Sequence, residues 1–363
     1  MLMKCSLLFL LCPLLAFAGS DGERVEKKIN RDFSIQADGR VELLNKYGNI
    51  DIAIGPSNQV KINVTITVEA SSEKKAQETL DRISVSFEEG NNRVRAETEI
   101  ETSSGWTSWF NSGNIEMDIN YQVLVPADVY LDLCNKYGNI YVETSNRDIE
   151  VELAYGNIRL GDINANLNLD MEYSEGSISQ VKDGDITLSY SELEMEDGAD
   201  ITLDNKYTEI KSGTFQKLRM ESSYSNLHAI SIGQMDYNGK YDDLVLEQVG
   251  SISAESGYTG IVVEELERSG EFDMRYGDLK IHQIHRGFSI LSINTSYTGV
   301  DLEFNPDATF TVDVETNYCD IHHDDLKISE DSQRQSSATL KGSRGTAGGQ
   351  LIARMNYGEL KID

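Results

Sequence analysis

Cysteine and proline are scarce in this 363-residue sequence, with 4 of each, and there are only 2 tryptophans. So few cysteines exclude a disulfide-stapled scaffold, and stability has to come from backbone pairing and apolar burial. Positive charge is thin as well: 32 Lys and Arg stand against 61 Asp and Glu, for a formal charge of −29. That balance excludes nucleic acid, or a polybasic grip on anionic lipid, and disfavours acidic substrates. Beyond the N-terminus there is no run of 18 apolar residues, so no transmembrane helix is expected. Nucleophile-elbow, phosphate-loop and zinc-protease motifs are all missing.

What is present begins with a leader. Lys4 supplies a short positive region, Leu7 to Leu15 an apolar stretch, and Ala16-Phe17-Ala18 a small-x-small cleavage site before Gly19. Residues 1–18 read as a secretory signal peptide, with the chain exported to the periplasm, cell surface or medium. Cleavage would remove Lys4, Cys5 and Cys12 and leave a net charge of −30, with only Cys134 and Cys319 as thiols.

A short motif then recurs: Lys46-Tyr47-Gly48-Asn49-Ile50, Lys136-Tyr137-Gly138-Asn139-Ile140, Ala154-Tyr155-Gly156-Asn157-Ile158, Arg275-Tyr276-Gly277-Asp278-Leu279 and Asn356-Tyr357-Gly358-Glu359-Leu360. Looser copies centre on Tyr173, Tyr190, Tyr207, Tyr224, Tyr241, Tyr258, Tyr297 and Tyr318, so 13 of the 17 tyrosines belong to the motif. From Tyr137 to Tyr276 the steps are 18, 18, 17, 17, 17, 17, 17 and 18 residues. Around each tyrosine, apolar residues alternate on both sides, as in Ile186, Leu188, Tyr190, Leu193 and Met195. Period two means strand, and the one-residue shift of the alternation just after the tyrosine means a tight corner. Gly, with Asn or Asp after it, is expected to supply positive φ there.

A unit this short cannot bury its own apolar face, but stacked copies can, each strand pairing in parallel with its counterpart one repeat away. The expected fold is all-β: a right-handed parallel β-helix or β-solenoid of 17- to 18-residue rungs over residues 126–363, with an irregular β-rich N-terminal cap over 19–125. An antiparallel sandwich or barrel is the rival, but it gives no reason for the fixed step. Ten steps from Tyr137 to Tyr318 at ~4.8 Å would span roughly 48 Å, which keeps Cys134 and Cys319 apart as free thiols. The tyrosines stack as a ladder, and their phase relative to the flanking apolar positions points them inward.

In the cap, Ser72 precedes a short helix from Lys74 to Ile83, and strands are expected near 83–88, 92–100 and 115–125. Between the last two lies a loop with both tryptophans. Trp106, Trp109 and Phe110 are the candidate binding residues, a contact tip for glycan, lipid surface or partner protein, against the plainer reading that they fold back over the cap. Near the other end, the polar and Gly-rich stretch at 329–349 reads as a flexible insertion between rungs.

The leader, the segment Leu44 to Ile52, the strand Tyr121 to Pro126 and the closing Tyr357 to Ile362 together resemble the exported bacterial "putative adhesin" family, domain of unknown function 4097. The resemblance spans most of the chain after the leader. It is similar in character to auto-transporter adhesin head domains and implies a β-helical exported protein. It carries no functional residues across.

Chemistry is sparse. His282-x-x-His285 and His322-His323-Asp324-Asp325 hold ligand-type residues, but their spacing makes no metal site, and neither metal nor other cofactor is expected. Glu175, Glu192, Glu209, Asp243, Asp278, Asp320 and Glu359 share one phase of the repeat and would align as an acidic edge. The function implied is a non-enzymatic adhesin-like or scaffold role at the cell envelope, binding glycan or an envelope protein along a solenoid face. The alternative is a glycan-active β-helix enzyme, a lyase or hydrolase, though short rungs leave little loop with which to build a cleft.

Overall fold

The computed structural model describes residues 22–101, 115–346 and 348–363. The repeats form a β-solenoid whose rungs fold around a single column of apolar side chains. The first complete rungs are built from β2 (Arg40–Lys46) and β3 (Ile50–Ile54), then β8 (Tyr130–Lys136) and β9 (Ile140–Ser145). β10 (Ile149–Ala154) leads into β11 (Asn157–Glu172), and from there one long bent strand makes each rung. These are β12 (Glu175–Ser189), β13 (Glu192–Lys206), β14 (Glu209–Ser223), β15 (Asn226–Lys240) and β16 (Asp243–Gly257), after which β17 (Gly260–Ile284) and β18 (Ile290–Phe304) each run on through a motif tyrosine, at Tyr276 and Tyr297. Neighbours pair in parallel with a register equal to the repeat, for example Leu193↔Ile210 and Leu203↔Met220. Each rung therefore has two faces that meet at a motif tyrosine.

The alternation dictates the core. Ile186 and Leu188 before Tyr190, and Leu193 and Met195 after it, are all fully buried. The switch of phase occurs at the tyrosine itself. All thirteen motif tyrosines have φ between 49° and 62°, and of the residues that follow them only Gly48, at φ 154°, has a positive φ. This corrects the expectation that the following glycine would be the left-handed residue. Glycine is used there for another reason: a Cβ on Gly156 would lie 1.9 Å from the Gly138 carbonyl oxygen of the preceding rung. Other rungs place Ser or Thr at this position, with the hydroxyl turned inward.

At the N-terminal end the two faces are prolonged by different sets of strands. One is prolonged by β6 (Arg93–Ile100) in parallel with β2, then by antiparallel β5 (Ile83–Gly90). The other is prolonged by β7 (Ile115–Val125) in parallel with β3, then by antiparallel β4 (Gln59–Ala70) and β1 (Glu23–Ser34). The helix α1 (Glu73–Leu80) packs on β1 and β4, and its Ser72 cap accepts a hydrogen bond from the Lys75 N–H at 3.4 Å. Glu42 on β2, nearly buried, is gripped by Arg93 through two nitrogens and by Arg95 at 3.2 Å. The Arg93 guanidinium holds its carboxyl below the usual range.

The C-terminal end departs from chain order. β19 (Phe310–His323) does not lie on β18. β22 (Gly349–Ile362) is inserted between them, parallel to both. The segment expected as a flexible insertion contains β20 (Lys327–Arg334) and β21 (Ser337–Arg344), an antiparallel hairpin whose β21 pairs with the first half of β19. The tyrosine step from 318 to 357 is long because the chain makes this hairpin before returning one rung inward. Among the described residues no helix is long and apolar enough to cross a membrane.

Candidate functional site

Because the corner tyrosine is left-handed, its Cβ leaves the inward phase of the strand before it. The rings consequently point outward, which overturns the expectation of an inward ladder. From Tyr137 to Tyr357 the motif tyrosines are 40% to 61% exposed, with Tyr318 at the upper end. In space they run 47, 137, 155, 173, 190, 207, 224, 241, 258, 276, 297, 357, 318, with consecutive centroids 4.8 to 5.3 Å apart and ring planes within 17° of parallel. Twelve steps at the ~4.8 Å strand spacing make a stack about 58 Å long. The ladder has one rung more between Tyr137 and Tyr318 than sequence order implies, since Tyr357 is interleaved.

Stacking occupies the π-faces with one another, so a ligand meets ring edges and phenolic hydroxyls. Stacking of a sugar on a ring face is thereby restricted to the end of the ladder.

Beneath the rings the backbone is stapled. The Tyr173, Tyr190 and Tyr207 N–H groups each donate to the carbonyl just before the next tyrosine, at 3.0 to 3.1 Å. The buried Ser191 Oγ accepts from the Ser174 N–H at 3.2 Å and donates to the Ser189 carbonyl at 2.8 Å. Ser225 repeats this, accepting from the Thr208 N–H at 3.1 Å and donating to the Ser223 carbonyl at 3.0 Å. Cys319 occupies the same position, its Sγ 3.4 Å from the Asn317 carbonyl, and both Cys134 and Cys319 are free thiols. In one rung the residue is Asp242. It is buried, accepts from the Ser225 N–H at 2.8 Å, and takes the phenolic hydrogen bond of the buried Tyr237 at 2.7 Å. Burial pushes the Asp242 carboxyl and the Tyr237 phenol above their ordinary values.

Two residues beyond each tyrosine runs a second ladder. Asn49, Asn139 and Asn157 are linked by side-chain amide bonds of 3.0 and 2.9 Å. Glu175, Glu192 and Glu209 follow in register, and Lys211 reaches Glu209 at 2.9 Å and Glu192 at 3.4 Å. The expected acidic edge exists, but Asn226, Gly260 and Gly299 interrupt it before Glu359 and Asp320. Between the two ladders lies a shallow trough of about 850 Å³ walled by Tyr173, Tyr190, Tyr207 and Tyr224. Sequence reasoning had both ladders but missed the trough, whose signal is the left-handed corner.

A second concavity of about 560 Å³ lies where β3 runs between β7 and β9 and parts from β9 after Ile52, lined by Asp51, Leu124, Tyr141, Glu143 and Arg159 among others. The histidines are dispersed: His282 pairs with Glu264 at 2.8 Å, His228 with Glu247 at 3.0 Å, and His322 with Glu359 at 3.5 Å. Among the described residues no group of three His, Cys, Asp or Glu is placed to hold a metal ion. Trp106, Trp109 and Phe110, like the leader 1–18, lie outside the described residues.

A sequence model of the Toastrack DUF4097 family matches residues 42–363. No curated protein matches the chain in sequence. Solved structures similar to it include a "putative cell adhesion protein" from Clostridium sporogenes, at 8% identity and TM-score 0.17, covering 93% of this chain and 99% of that one. Also similar are a "putative adhesin" from Bacteroides fragilis, at 10% identity and TM-score 0.23, and a "putative lipid binding protein" from Parabacteroides distasonis, at 9% and 0.25. Both cover 93% of this chain and 97% of theirs. Superpositions this loose have no bearing on function.

Proposed function

This chain belongs to the Toastrack DUF4097 family, and we propose that it is an exported, non-enzymatic, adhesin-like or scaffold protein of the bacterial envelope that binds an elongated partner along its tyrosine edge. The single observation that carries this reading is the unbroken ladder, thirteen outward rings in one line with a trough beside it. A surface that repeats every rung suits a ligand that also extends, a glycan or an envelope protein, and multiplies weak contacts along its length. Support for the non-enzymatic part comes from the turns: corners of two or three residues add no loops that would deepen the shallow trough into a cleft.

The test is a binding screen of glycans and envelope fractions against the full chain, a Tyr190→Ala/Tyr207→Ala/Tyr224→Ala variant and a Trp106→Ala/Trp109→Ala variant. Saturable binding weakened by the tyrosine changes is expected. Binding lost only in the tryptophan variant would move the contact to that loop, and binding indifferent to both would overturn the reading of the tyrosine edge.

A further inference from the structure

The ladder is also a continuous array of oxidisable groups. Every ring from Tyr47 to Tyr318 has a neighbour within 5.3 Å, stacked nearly parallel and without interruption. From Tyr137 onward the rings are about half exposed, which opens their edges to water as a proton acceptor. A phenol loses an electron readily only when its proton can leave with it, and contact between stacked rings is the geometry in which an electron crosses from one to the next.

We propose that the tyrosine ladder conducts oxidising equivalents along the solenoid axis. A one-electron oxidant of the ferryl-haem or metal(III) class, arriving from solvent, removes an electron from one phenol and is itself reduced by one electron. The O–H bond of that phenol breaks, its proton passes to water, and a neutral phenoxyl radical remains. The phenoxyl then takes an electron from the adjacent ring and a proton from water, re-forming its O–H bond. The adjacent phenol releases its own proton to water and becomes the phenoxyl. Each step conserves one electron and one proton and moves the radical by one rung. The buried Tyr237 stands outside this path, since its hydroxyl is committed to Asp242 inside the core.

The test places the oxidant at one end and reads radicals at the other. A thiol-reactive ruthenium polypyridyl complex is attached through Lys136→Cys, an exposed position next to Tyr137, in a background with the other four cysteines, Cys5, Cys12, Cys134 and Cys319, replaced by serine. Illumination with persulfate as electron acceptor generates ruthenium(III) there, and spin-trap adducts are located by peptide mass spectrometry. Adducts on Tyr297, Tyr357 and Tyr318 are expected. They are expected to disappear in a Tyr224→Phe/Tyr241→Phe variant, which keeps both rings in the stack but removes their phenols, while adducts from Tyr137 to Tyr207 persist. A Tyr237→Phe control should leave the distant adducts unchanged, and circular dichroism checks that each variant keeps its strands. Absence of distant adducts in the parent, or distant adducts of equal yield in the broken ladder, would overturn the proposal.

Discussion

At the scale of the residue, the corner tyrosine balances two effects of similar size. A left-handed conformation costs an L-residue about 1 to 2 kcal/mol, while each stacked aromatic pair contributes about 0.5 to 1.5 kcal/mol. An interior ring such as Tyr207 has two partners, at 4.8 and 4.9 Å, so stacking offsets the strain. Alanine at this position keeps the strain and loses both contacts, whereas glycine loses the contacts but relieves the strain. Tyr207→Ala is therefore expected to unfold at lower denaturant than Tyr207→Gly, by about 1 kcal/mol, in chemical denaturation. Equal stability of the two would mean the corner is not strained.

Asp242 gives the residue scale a pH signature. Its folded carboxyl sits above the ordinary value because burial disfavours the charge. Between the unfolded and folded values the native state binds more protons than the unfolded chain, so this group's contribution to stability falls as pH rises through that window. Asp242→Asn should flatten that part of the stability-versus-pH curve, measured by denaturation midpoints upward from pH ~4. A curve unchanged by the substitution would show that the carboxyl is not the source.

At the scale of the element, β22 is the telling strand. Leu351, Ala353, Met355, Leu360 and Ile362 are fully buried between two parallel neighbours, so the last strand of the chain is an interior rung. The loop before it passes the start of β19 with Gly345 at φ 71°, allowing β21 and β22 to flank β19. Contacts in a solenoid are between neighbours, so damage should stay local. Deleting residues 349–363 is expected to abolish hydrogen-exchange protection from β18 to β21 while β11 to β15 stay protected. Uniform loss over the whole chain would show instead that the solenoid folds as one cooperative unit.

At the scale of the whole molecule, charge is the dominant stress. A formal −29, with Glu175, Glu192 and Glu209 aligned at the strand spacing, repels itself most at low ionic strength. The thermal midpoint should rise as sodium chloride is added, and by less in a Glu175→Gln/Glu192→Gln/Glu209→Gln variant. A midpoint indifferent to salt would mean the charges are too well solvated to matter.

The fold class, the rungs and the ladder were legible in the amino-acid order, because each is a matter of period. Two-residue alternation names strands, a constant step stacks them, and an aromatic at one phase must then meet its copies at ~4.8 Å. The α1 cap at Ser72 and the strands around 83–100 were legible through the same local chemistry. Tertiary structure alone decided which way the rings face, since a single left-handed residue inverts the direction read from the alternation before it. It alone placed β22 between β18 and β19, because which strand lies beside which depends on pairing across an open sheet edge, and chain order does not record that pairing. The trough follows from both, since it exists only where outward rings and the residues two positions on stand side by side.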